Sequence, residues 1–137
     1  MKLLTLICST LLGYLFMANT TLANATEVVT CPSVDKIRQA ASSMTKATYS
    51  RFDKTYTVTA LTAVVDNNRE WKLGSLFIRA HSLDEARTIG QNRAATASQV
   101  LYQSASVRDS TYLCLYYDGS LQSPYVSIMA TSAMSAR

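Results

Sequence analysis

Hydrophobic and polar positions along the chain fall into two periods. Val34, Ile37, Ala40, Ala41 and Met44 recur at three- and four-residue spacing, the period of one helix face. Lys36, Arg38 and Gln39 take the opposite face. Pro32 interrupts the preceding segment, Ser33 can cap the helix, and Asp35 lies where it offsets the helix dipole. This spacing predicts a helix over 33–47. From residue 55 the period becomes two. The run 55–65 is dense in the β-branched Thr and Val and alternates, a strand pattern. Asp66-Asn67-Asn68 is turn chemistry, and 70–80 reads as the returning strand. Strict alternation there puts Trp71, Leu73 and Phe77 on one side and Leu76, Ile78 and Ala80 on the other.

A capping box, Ser82-x-x-Glu85, opens the next helical segment, because hydroxyl and carboxylate each satisfy a free backbone donor. Leu83, Ala86, Ile89, Gly90, Ala94, Ala97 and Leu101 follow at helical spacing and predict a helix over 83–102. Its apolar face is mostly small, so it can lie close on a sheet. Two further strands are predicted over 110–117 and 125–131, joined through Asp118-Gly119. The order α-β-β-α-β-β implies an α+β fold: a four-stranded antiparallel sheet with two helices on one face.

The N-terminus stands apart. Lys2 precedes an almost wholly apolar run from Leu3 to Met17, and Ala23-Asn24-Ala25 fits a small-x-small cleavage site. That is the layout of a secretory signal peptide, and the run is short of the roughly 20 residues a spanning helix needs. Cleavage is expected after Ala25, with Ala23 as the alternative. One domain over 26–137 would remain, exported to the periplasm or secreted, without membrane attachment. Cys8 would leave with the signal, and the remaining Cys31 and Cys114 are expected to form a disulfide.

Twelve Lys and Arg against nine Asp and Glu in the expected mature chain, scattered singly, do not build the basic face of a nucleic-acid binder. No Gly-x-Ser-x-Gly elbow, glycine-rich phosphate loop or His-rich metal set occurs, so a non-enzymatic protein is expected. The only histidine, His81, sits at a strand-to-helix junction. It reads either as a residue bonded to backbone or as an axial ligand to haem iron. Tyr112, Tyr116, Tyr117 and Tyr125 can also ligate ferric haem, although strand tyrosines ordinarily pack. Met44, Met129 and Met134 are further donors. A disulfide to Cys31 beside the first helix turns Tyr112, Cys114 and Tyr116 toward the helices. Leu113, Leu115 and Tyr117 are then left on the solvent side. An apolar solvent face marks a contact surface, either for another protein or for self-association, unless a tail, loop or second protomer covers it.

Cys31-Pro32-Ser33-Val34, Trp71-Lys72-Leu73-Gly74 and Tyr112-Leu-Cys-Leu-Tyr-Tyr117, together with the short signal, resemble a group of small exported proteins of Legionella and its relatives. That group includes a haemin-binding member. The resemblance implies a non-enzymatic binding protein that takes haem non-covalently. The alternative is a protein–protein interaction module or inhibitor acting through the Leu113, Leu115 and Tyr117 face.

Overall fold

The computed structural model describes residues 29–106, 110–118 and 128–133. The expected signal peptide, Cys8, Tyr125 and Met134 lie outside them. Seven strands are described: β1 (Met44–Ser50), β2 (Thr55–Ala60), β3 (Val64–Asp66), β4 (Arg69–Ile78), β5 (Val100–Ser106), β6 (Thr111–Tyr116) and β7 (Ile128–Ala133). They form an antiparallel sheet in the order β1-β2-β4-β7-β6-β5, with β3 paired to the first residues of β4. Two helices, α1 (Val34–Gln39) and α2 (Leu83–Ala95), accompany it. The chain is therefore mostly β, which corrects the four-stranded α+β expectation with two substantial helices.

Each difference has a local cause. The first helix stops at Gln39 and passes through a 3-10 turn, Ala41–Ser43, into β1. Ile37, Ala41 and Met44 are all buried, so the inward spacing is real. Three contacts at that spacing fit a helix, or equally a short helix turning into a strand. Beyond Met44 the β-branched Thr45 and Thr48, with Tyr49, favour the strand. The second helix stops at Ala95, where the Thr96 hydroxyl donates to the Asn92 carbonyl at 2.8 Å, a back-bond that competes with helix continuation. Val100, Leu101 and Tyr102 then enter β5.

The expected hairpin forms, with two departures. Its first strand breaks at residues 61–63 into β2 and β3, while the turn keeps Asp66 opposite Arg69. Asn67 and Asn68 have φ of 53° and 57°, the left-handed pair that a two-residue hairpin turn matching strand twist requires. On the returning strand Val58 pairs with Ser75 but Tyr56 pairs with Ile78, so β4 carries an extra residue. Phe77 absorbs it at φ 53°. The bulge shifts the alternation: Trp71, Leu73, Ser75 and Ile78 are buried, and Phe77 is turned out.

One face of the sheet packs the core. α2 lies on β1, β2 and β4 through Ala86, Gly90 and Ala94, the small residues expected there. A Cβ placed on Gly90 would come within 2.8 Å of Val58 Cβ. Arg87 Nε donates to Thr45 O, Gln91 Nε2 to Met44 O and Arg93 Nη1 to Leu76 O, so the helix is tied to backbone carbonyls as well as packed. Cys31 and Cys114 form the expected disulfide, 83 residues apart in sequence, which in the chain-entropy picture removes about 4–5 kcal/mol of unfolded-state freedom at most. Ser33 Oγ accepts from Lys36 N, and Asp66 Oδ2 accepts from Ser33 N at 2.8 Å, so the hairpin turn helps to cap α1.

Two outcomes follow from these contacts. Gly90→Ala should destabilise the domain by about 1–3 kcal/mol in urea unfolding, although alanine is the better helix former by about 1 kcal/mol. A neutral or stabilising result would mean that the helix does not lie this close. Asp66 is held below its ordinary pKa chiefly by the Ser33 N–H, with the Asn67 N–H, the Ser33 hydroxyl and Lys36 adding, against an upward push from burial. A depressed folded pKa gives stability that is present above the unfolded value and is lost as pH falls through the folded one. The stability gap between wild type and Asp66→Asn should therefore be full above about pH 5 and shrink progressively at pH values below about 4. A gap that widens toward acid would contradict this.

Candidate functional site

Of the tyrosines on β6, Tyr112 and Tyr116 point to the inner face and are buried. Tyr116 donates to the Pro32 carbonyl at 2.7 Å. Burial, reinforced by the negative Asp66, raises its phenol far above the ordinary value, so it remains a proton donor. Tyr112 lies beneath Arg69, whose guanidinium carbon is 4.3 Å from the ring centroid. Both tyrosines are thus core and strapping residues of the inner face. Met44 is likewise buried there.

His81 is exposed between β4 and α2. Its backbone N–H donates to Glu85 Oε2 at 2.7 Å, while Ser82 Oγ accepts from Glu85 N at 3.1 Å. The capping box therefore forms with its carboxylate reaching one residue further back than expected. Tyr117 follows β6, half-buried, with its N–H on the Gln99 carbonyl. His81 beyond β4 and the buried pair on β6 do not make one site. Among the described residues, no cluster of three or more His, Cys, Asp or Glu side chains could hold a metal ion.

The other face of the sheet is different. Leu113 and Leu115 alternate outward from the buried Tyr112, Cys114 and Tyr116. Register places Leu115 opposite Met129, and Met129 opposite Gly74. A second chain of pairs links Gly74 to Thr59 and Thr59 to Lys46. Along this line runs a groove of about 490 Å³, with Leu61, Leu73, Leu76 and Met129 in its apolar lining and, among the described residues, Lys46 and Lys72 as its charged ones. A neighbouring depression of about 460 Å³ shares Ala63, Lys72 and Thr131 with it, so the outer face carries a continuous trough beside β4. Volumes of this size are ordinary for small-molecule sites.

Gly74 lies at the centre. Its φ is not positive, so the backbone does not require glycine. A Cβ there would meet Thr59 Cγ2 at 3.6 Å and Val58 O at 3.8 Å, ordinary contact distances, so packing does not require it either. Glycine inside a central strand weakens the strand, and often marks a close approach by something else. In the sequence Met129 stands out only as a potential donor, and Lys46 falls within the segment whose spacing predicts a helix. The signal that could have found the groove is the single glycine within Trp71-Lys-Leu-Gly-Ser-Leu76.

No protein-family model, curated protein or solved structure matches the chain. Tyr116→Phe should cost about 1–3 kcal/mol of stability, because it strips a buried carbonyl of its donor. It should leave any ligand affinity measured on the folded protein unchanged. A selective loss of affinity with stability retained would instead return Tyr116 to the candidate site.

Proposed function

We propose that this is a non-enzymatic binding protein whose outer-face groove takes a small amphipathic anion, with haem the named candidate. The observation that carries the reading is Gly74: a glycine that neither backbone nor packing demands, on the floor of a groove with apolar lining and two lysines. The apolar side chains suit a hydrocarbon or tetrapyrrole surface, and Lys46 and Lys72 suit carboxylates. Among the described residues no acid lines the groove itself, while Glu70 lines the adjoining depression. Coordination through Tyr112 or Tyr116 does not fit their burial, and His81 does not line the groove. Among the described lining residues, Met129 is a side chain of a type that ligates haem iron. Haem and a long-chain fatty acid share the required chemistry.

Titrations with haemin and with a fluorescent fatty acid separate these two sources. Saturable one-to-one binding is expected for at least one of them. Gly74→Val should weaken it about tenfold or more while leaving the unfolding midpoint equal or higher, since valine favours strands. Reversing Lys46 and Lys72 to Glu should weaken binding and invert its salt dependence, because salt then screens a repulsion. For haemin, Met129→Leu should move the Soret band if the thioether holds iron, and should leave fatty-acid binding intact. Binding by Gly74→Val equal to wild type would remove the groove from consideration. Failure of both ligands, with concentration-dependent association abolished by Leu113→Ser, would favour a protein contact on this face.

A further inference from the structure

Several large apolar side chains are exposed together at one end of the sheet, while Leu61, Val65, Val100 and Leu101 are exposed elsewhere. Phe52 is 100 % exposed at the tip of the β1–β2 hairpin. Behind it Tyr49 stands opposite Tyr56, their ring centroids 4.9 Å apart. Tyr56 in turn pairs with Ile78, which brings the bulge and the outward-turned Phe77, 63 % exposed, to the same end of the sheet. Leu83, 45 % exposed, opens α2 shortly after that strand ends.

Charges of both signs meet at this end, with Asp53 between Arg51 and Lys54 and with Asp84 and Glu85 opening α2. Arg51, Lys54 and Arg79 are exposed, and no salt bridge with an acid is found for them among the described residues. The acids have local work. Asp84 holds Arg87, Glu85 holds the His81 N–H, and Asp53 Oδ1 accepts from Thr55 N at 3.2 Å. Hydrogen bonds from the Ser50 and Thr55 side chains, the Ser50 bond the larger, keep the Asp53 carboxyl below its usual range. That turn also fixes the tip, with Lys54 at φ 57°. Phe52 is therefore presented on a closed turn and not on a loose loop, which lowers the ordering cost of any docking.

We propose that the β1–β2 hairpin end is a docking surface for an anionic phospholipid bilayer, with Phe52 as the inserting side chain and Arg51, Lys54 and Arg79 meeting lipid headgroups. An apolar apex with an amphipathic tyrosine pair behind it suits the layered polarity of a membrane interface, where aromatic side chains concentrate. Basic residues not engaged by acids gain at an anionic surface. The attachment is peripheral: among the described residues no helix is long and apolar enough to cross a membrane. It is independent of the groove, which lies on the outer face of the sheet.

Flotation of the full chain with phosphatidylglycerol-containing vesicles, against pure phosphatidylcholine vesicles, tests this. Phe52→Ser should lower the partition coefficient about tenfold or more, and replacing Arg51 and Lys54 by Gln should cost roughly fivefold for each residue. Gly74→Val should float as wild type does. In Phe52→Trp, emission from the introduced indole should shift to the blue and be quenched by brominated lipid, over a background from Trp71, which is wholly buried. Binding carried by the apolar N-terminal run would be unaffected by all tip substitutions. Equal flotation of wild type and Phe52→Ser, or a Phe52→Trp emission that vesicles do not move, would overturn the proposal.

Discussion

The contact between Gly90 and Val58 sets the distance between helix and sheet, and much of the molecule depends on it. With no side chain interposed, α2 lies low enough for Arg87, Gln91 and Arg93 to reach the carbonyls of Thr45, Met44 and Leu76. The Leu76 carbonyl stands beside the bulge at Phe77, where ladder pairing is disrupted. Arg93 also faces Asp118 at 3.6 Å. Burial pulls its guanidinium below the ordinary value while Asp118 opposes that pull. One arginine thus joins α2 to β4 and to the segment after β6.

Closure of the inner face determines where chemistry can be sought. Trp71, Leu73, Ile78, Tyr116 and Ile128 fill it beneath α2 and the N-terminal segment. The disulfide and the Tyr116–Pro32 hydrogen bond hold that segment in place. The outer face keeps half-buried leucines, a methionine, threonines and lysines around a glycine. This division between a sealed face and an open one is the physical basis for placing a ligand beside Gly74 and not among the buried tyrosines.

Much of this is legible in local chemistry. The cysteine pair, the asparagine turn, the capping box and the inward set Tyr112, Cys114 and Tyr116 each rest on a constraint acting within a few residues, or on compartment logic. The element boundaries are not legible where two structures share one spacing. Ile37, Ala41 and Met44 bury in a helix–turn–strand as well as they would in a helix, and only the packing of β1 against β2 and α2 decides. At Phe77 a single inserted residue reverses the expected faces of Phe77 and Ile78 at the end of the strand, and nothing near it in the sequence announces a bulge. The groove is hidden for the same reason. Lys46, Gly74 and Met129 are brought together by register across the sheet, and the strand that carries Lys46 has the spacing of a helix at its start.

The most direct test of the two-faced sheet is an amide NMR titration with the fatty acid, following both faces of β1, β2, β4, β6 and β7 together. Perturbations concentrated at Lys46, Thr59, Gly74 and Met129, with Cys114 and Tyr116 still, are the expected result. Perturbations centred on Trp71, Cys114 and Tyr116 would mean that the inner face opens to ligand, and would contradict the account.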